Sequence, residues 1–193
     1  MNIPKRFEAV KWEDVGEDIQ GRVMNILDNR RGIYLWGKSG TGKTHIAYAI
    51  KKYCFEIADP KIPVIFKNVP QFLKEIKDDY GRQLSDKEYP LENIMNNRDL
   101  LIFDDLGSEK MSEWVEEVFY LLINNRYEEM IPIIFTSNYS IQELSTRLSD
   151  RIISRIVGSC DIVELQGNDR RICLPPSVST VPIVSLNYPP EGR

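Results

Sequence analysis

Apolar residues along this chain follow two rhythms. Short apolar runs occur at 33–36 (Ile-Tyr-Leu-Trp), 64–66 (Val-Ile-Phe), 100–103 (Leu-Leu-Ile-Phe) and 131–135 (Ile-Pro-Ile-Ile-Phe), with a mixed run at 161–165. Runs of this length predict five short strands. The unbroken 100–103 run is what a strand buried on both faces requires. Between the runs, apolar residues recur every three or four positions. That spacing predicts helices over 18–29, from Lys43 to about Ala58, from Gln71 to about Arg98 with breaks near Gly81 and Pro90, and from Ser112 to about Tyr127. Ser140-Ile141-Gln142-Glu143 fits a capping box opening a further short helix. Another helix spans 148–157, with Gly158 as its stop. Gly32 suits the C-terminal cap of the first helix, and Pro70 ends the second strand.

Strands alternating with helices predict one α/β domain, a five-stranded, mostly parallel sheet with helices on both faces. Residues 1–31 read as a lead-in with a short helix, anchored by Phe7, Val10, Trp12 and Val15. Residues 32–173 read as the core. Residues 174–193, rich in proline, read as an extended tail. There is no internal repeat.

Composition narrows the classes. The 193 residues suffice for one domain, and 42% hydrophobic with 28% charged residues is ordinary for a globular protein. A net charge of -4 excludes a polycation, so any nucleic-acid contact has to come from a local basic patch. Cys54, Cys160 and Cys173 form no C-x-x-C pair, and one histidine is present, which speaks against zinc and for thiols in a reducing compartment. No apolar run approaches the roughly 20 residues that span a bilayer. Met1-Asn2-Ile3-Pro4-Lys5-Arg6 lacks the apolar core of a signal peptide, so a cytoplasmic location without membrane attachment is expected.

The chemistry centres on Gly37-Lys38-Ser39-Gly40-Thr41-Gly42-Lys43-Thr44, which satisfies G-x-x-x-x-G-K-S/T between a predicted strand and a predicted helix. Such a loop turns its N–H groups toward an anion. Its lysine reaches β- and γ-phosphates, its threonine hydroxyl can ligate Mg²⁺, and the next helix points its positive end at the same phosphates. The expected ligands are therefore ATP and Mg²⁺. His45 follows directly, counted with this segment and read as local packing. Asp104 closes the buried 100–103 run and is the expected second Mg²⁺ ligand, while Asp105 beside it can orient or deprotonate a water. Asn138 closes the fourth strand. Strand ends of a parallel sheet line one crevice, so Asn138 is expected near the γ-phosphate; a turn or capping role is the competing reading. Arg151 and Arg155 are four apart on one helical face, a spacing that also describes an ordinary solvated face. Lys74 and Lys77 lie in a polar helical layer that reads equally as solvated or as a binding surface.

Taken in order, Gly37-Lys38-Ser39-Gly40-Thr41-Gly42-Lys43-Thr44-His45, the 100–107 run ending in Asp104-Asp105-Leu106-Gly107, Phe135-Thr136-Ser137-Asn138 and the 148–155 segment resemble the AAA+ ATPase domain of bacterial replicative helicase loaders of the DnaC/DnaI family, with IstB transposition ATPases as close relatives. The stretch 125–129 (Asn-Arg-Tyr-Glu-Glu) narrows the match. The resemblance covers roughly residues 7–171. It implies that 37–44 is Walker A, Asp104-Asp105 is Walker B and Asn138 is sensor 1. It further implies that Arg151 or Arg155, with Arg155 favoured, is an arginine finger acting on a neighbour, and that Arg170 and Arg171 belong to an end-of-domain motif. It implies an ATP-dependent homo-oligomer, single-stranded DNA and a DnaB-type hexameric helicase as partners, and a DNA contact near Lys74 and Lys77. An IstB-like helper remodelling target DNA, or an adaptor with little turnover, would use the same core. A small-molecule kinase would leave Asp104-Asp105-Leu106-Gly107, Asn138 and the paired arginines unexplained. Loaders of this family carry an N-terminal domain that grips the helicase, and only a few dozen residues precede the loop here. The chain is then either the ATPase part of a longer protein or a compact variant. No helical lid subdomain is expected, which would leave the pocket open and turnover slow.

Overall fold

The computed structural model describes residues 3–80, 90–167 and 169. The lead-in forms two short 3-10 turns, Lys5–Phe7 and Trp12–Asp14, followed by α1 (Glu17–Met24) and α2 (Ile26–Asn29). Then come β1 (Gly32–Trp36), α3 (Lys43–Lys52) with a π-helical turn (Tyr53–Ile57), β2 (Val64–Asn68), α4 (Val69–Tyr80) and α5 (Pro90–Asn96). The chain continues as β3 (Leu100–Leu106), α6 (Glu113–Glu128), β4 (Ile133–Ser137), α7 (Ile141–Leu144), α8 (Asp150–Ser159) and β5 (Cys160–Glu164). The expected break at Gly81, the roles of Arg170 and Arg171, Cys173, the 174–193 tail and the absence of a lid all fall outside the described residues.

The five strands form one sheet in the order β2-β3-β4-β1-β5, and every pair is parallel. β1 is inserted between β4 and β5, so the loop after β1 opens beside the C-terminal ends of β4 and β3, where parallel α/β sheets form their crevice. One face carries the lead-in and α1–α3, packed through Ile33, Leu35, Ile102 and Ile134. The other carries α4–α8, packed through Tyr34, Leu101, Phe103 and Phe135. Consecutive strand residues thus bury to opposite sides, which is why the central strands read as unbroken apolar runs. Cys54 and Cys160 are buried, and burial pushes both thiols up to about 12, as suits inert core residues.

Several boundaries differ from the sequence reading. Gly32 is no helix cap: Arg30 takes the left-handed conformation (φ 49°), and Gly32 opens β1. A Cβ at Gly32 would lie 2.0 Å from the Ile133 carbonyl oxygen, so close strand approach is what demands glycine. The helix after the glycine-rich loop stays α-helical only to Lys52. The π turn, closed by Ala58 N–H to the Tyr53 carbonyl, shifts the helical phase and leaves Ile57 52% exposed rather than on the expected buried face. Pro70 does not directly end β2. It sits in the first turn of α4, where its missing N–H would have had no helical partner. β4 starts at Ile133, β3 runs on through both aspartates to Leu106, α8 passes through Gly158, and β5 begins one residue early, at Cys160.

Candidate functional site

The glycine-rich loop projects from the end of β1, where Gly37 N–H donates to the Ser137 carbonyl of β4. Gly40 takes a left-handed φ of 81°, and a Cβ there would fall 1.8 Å from an Asp169 carboxylate oxygen. The left-handed backbone is what demands glycine, since the Asp169 carboxylate sits at the end of a flexible side chain that can swing away. Lys43 is 7% exposed at the start of α3, and its ammonium donates to the Gly37 and Lys38 carbonyls at 2.7 and 2.8 Å. Thr41 Oγ1 donates to the Lys38 carbonyl, bracing the turn.

Opposite the loop, β3 and β4 slip by one residue. Phe103 faces Phe135 and Leu106 faces Ser137, so Asp104 and Asp105 together span the place of Thr136. This bulge puts Asp105 in the left-handed region (φ 68°), a conformation a non-glycine residue adopts at a cost. Thr136 satisfies both acids at once. Its hydroxyl donates to Asp104 Oδ1 at 2.6 Å and accepts from the Asp105 N–H at 2.9 Å. Thr44 Oγ1 donates to the same Asp104 oxygen at 3.1 Å, joining the loop to β3. Burial pushes the Asp104 carboxyl up, as does the Asp105 charge, while the Thr136 and Thr44 hydroxyls pull it back. Asn138 is exposed, and its amide donates to Asp105 Oδ1 at 3.3 Å.

A cavity of about 380 Å³ lies between these groups. Loop residues Ser39, Gly40, Gly42, Lys43 and Thr44 form one wall, and Asp105, Thr136 and Asn138 another. His45 lines it too, and its Nε2 sits 3.7 Å from Asp14 Oδ2 of the lead-in. The third wall is Arg6 and Phe7. The lead-in is pinned along α3 by stacking of Phe7 on Tyr48 (4.5 Å) and Trp12 on Tyr53 (4.0 Å), and by the Lys52 ammonium bonding the Glu8 and Val10 carbonyls.

The structure thus brings Lys43, Thr44, His45, Asp105 and Asn138 to one cavity, with Asp104 directly behind Thr44. Arg151 and Arg155 do not line it. They lie on α8, against α6. Lys74 and Lys77 are exposed on α4, and the Lys77 ammonium rests 4.7 Å from the centroid of the Trp114 ring. Sequence reasoning missed Thr136, Arg6 and Phe7. Thr136 could have been found, since it precedes Asn138 at the same strand end. No spacing rule reaches from residue 6 to residue 43. It also missed buried Glu109, whose carboxylate accepts from the Gly107 N–H in the turn after β3. Among the described residues, no three His, Cys, Asp or Glu side chains converge as a metal cluster, and no helix is long and apolar enough to cross a membrane. The Thr44 hydroxyl and Asp104 carboxylate supply hard oxygen donors of the kind Mg²⁺ takes alongside phosphate and water.

Comparison with known proteins agrees with this geometry. A family model described as IstB-like ATP binding protein matches residues 19–173. The replicative helicase loader DnaI of Bacillus subtilis (strain 168) is 29% identical over 160 residues, which cover 76% of this chain and 50% of that protein. The chain therefore spans half the length of that relative. The crystal structure of the DnaC helicase loader superposes with a TM-score of 0.72 at 25% identity, over 84% of this chain and 100% of that one. A crystal structure of DnaI gives 0.67 at 26% identity, over 88% and 94%. The parallel sheet, its strand order and the loop after β1 are those of an AAA+ P-loop nucleotide-binding fold.

Proposed function

The chain belongs to the family of IstB-like ATP-binding proteins, and on that premise we propose that it is the ATPase of a replicative helicase loader, acting with single-stranded DNA. The observation that carries the ATPase reading is the Thr44–Asp104 contact at 3.1 Å, which unites two motifs 60 residues apart at one cavity. In this reading the 37–44 backbone, including Lys38, Ser39 and Thr41, cradles the phosphates, and Lys43 turns its ammonium from the loop carbonyls to the β- and γ-phosphates. Thr44 and Asp104 hold Mg²⁺, which when bound would neutralise charge developing on the phosphates. Asp105 accepts a hydrogen bond from the attacking water and orients it, and Asn138 donates to the γ-phosphate while steadying Asp105. Water attacks the γ-phosphorus, the bond to the bridging oxygen breaks, and ADP, phosphate and a proton leave. Arg155, with Arg151 beside it, comes from a second copy of the chain and stabilises the equatorial charge, a contribution of about 10³–10⁵-fold in such sites. His45 lines the mouth and ties α3 to the lead-in. Lys74 and Lys77 contribute a basic contact to single-stranded DNA.

Similarity to the DnaI and DnaC loaders favours helicase loading over a small-molecule kinase. The family description keeps a second reading open, an ATPase helper of a transposase. Co-purification of the tagged chain from its native host, with Lys43→Ala as control, separates them. Loading predicts a hexameric helicase that comes down with the wild-type chain and less with the control; recovery of a transposase instead overturns it. Steady-state turnover with and without single-stranded DNA tests the ATPase itself. Turnover of the wild type no higher than that of Lys43→Ala, with or without single-stranded DNA, would leave a nucleotide-dependent adaptor that binds ATP and barely hydrolyses it.

A further inference from the structure

The two arginines of α8 are held unequally. Arg155 Nε–H donates to Asn124 Oδ1 at 2.6 Å, and one terminal nitrogen donates to the Arg151 carbonyl at 2.9 Å. Its guanidinium lies 5.0 Å from the centroid of the Tyr120 ring. Arg151 lies over the same ring, at 4.4 Å, and its guanidinium makes no hydrogen bond to the described residues. Tyr120 and Asn124 are four apart on α6, Arg151 and Arg155 four apart on α8, so two matching helical stripes face each other.

Two cations thus share one aromatic face, and among the described residues neither has a carboxylate partner. A π-face softens such crowding but does not neutralise it. The neutral Asn124 amide fixes Arg155 without cancelling its charge, which an aspartate there would do. Its oxygen must face Arg155, because Nε–H can only donate. With Nε and one terminal N–H engaged, three N–H groups remain along the terminal edge, the edge that grips phosphate oxygens in pairs.

We propose that Asn124 and Tyr120 are positioning residues for Arg155, presenting its terminal N–H edge, charged and oriented, to the γ-phosphate of a nucleotide held by a second copy of the chain. This rests on the role in trans assigned to Arg155 above. Arg151, stacked but unbonded, adds charge without orientation.

A mixing experiment with the full chain tests it. A Lys43→Ala copy, deficient in its own nucleotide site, donates the arginine; an Arg155→Ala copy holds the nucleotide. Their mixture regains turnover that neither has alone. Adding Asn124→Asp to the donor copy places a carboxylate on Arg155, and turnover of the mixture falls roughly tenfold or more at saturating ATP. Asn124→Asp alone, in an otherwise intact chain, binds ADP, which lacks the γ-phosphate, with unchanged affinity. Tyr120→Leu in the donor also lowers turnover, whereas Tyr120→Phe, which keeps the ring, retains it. If the Asn124→Asp and Tyr120→Leu donors both match the plain Lys43→Ala donor, the positioning role is wrong while the trans arginine stands. If the plain mixture regains nothing although wild type turns over, the trans arginine itself fails, and the positioning role with it.

Discussion

At the residue scale, Thr136 holds the two acids in place. It is 1% exposed and bonds Asp104 through its proton and the Asp105 backbone through its lone pair. Valine has the same shape and neither bond. Thr136→Val should therefore lower ATP turnover at least about tenfold while leaving nucleotide affinity nearly unchanged, because it loosens the acids and not the loop. Comparing kcat with a nucleotide-binding titration checks this; a parallel loss of affinity would mean the loop had moved as well. Arg126 is the contrasting residue. It stood out in sequence only as part of the 125–129 stretch, and it is 1% exposed, yet it does not line the cavity of the candidate site. Its guanidinium donates to the carbonyls of Ile94, Asn97, Asp99 and Pro132, tying the end of α5 to the entries of β3 and β4. Burial lowers its pKa to about 10, so it stays charged at neutral pH. Arg126→Ala strands those carbonyls and should cost about 2–4 kcal/mol in urea unfolding, with Arg126→Lys recovering only part.

At the element scale, the edge strand β5 is held to the lead-in side by charge. Asp161 accepts from Arg31 at 2.9 Å and from Arg22 of α1 at 2.8 Å. The hydrogen bond from Arg31, and then that from Arg22, holds the Asp161 carboxyl below its ordinary 3.8. A depressed folded-state pKa means that its stabilisation is present above about pH 3.8 and is lost as pH falls through the lower folded value. Asp161→Asn should thus lower the melting temperature by a few degrees at pH 7, a modest effect for a partly exposed network, and the gap should close below pH 3.8. A gap independent of pH would point to lost packing instead. Helices and strands were legible at this scale because their periods are local. The exceptions were the π turn after α3 and the bulge in β3, each an inserted residue whose phase shift depends on what packs against it.

At the scale of the whole molecule, the cavity and the arginines lie apart within one chain. Loop, aspartates and Asn138 converge, while Arg151 and Arg155 sit on α8 against α6. If a second copy supplies the arginine, specific turnover per chain should rise with chain concentration and then plateau, and Arg155→Ala should flatten the rise. Steady-state assays across a hundredfold range of concentration check this, and a constant specific turnover would argue against assembly. The sheet order explains why the convergence was foreseeable: β1, β3 and β4 are neighbours, so motifs at their C-terminal ends had to meet. The place of the lead-in was not foreseeable, since Phe7 and Trp12 read as anchors with no indicated surface.

By itself, the amino-acid sequence determined the α/β alternation, the glycine-rich loop and the identity of Lys43, Thr44, Asp104, Asp105 and Asn138, because each is written in a contiguous stretch or a local period. Tertiary structure alone decided that Thr136 serves both acids, that Arg6 and Phe7 wall the cavity, and that Asn124 rather than a carboxylate holds Arg155. Those arrangements follow from strand register and from the packing of helices distant in the chain. Both are selected by the burial of the two core faces as a whole, and no local spacing encodes them.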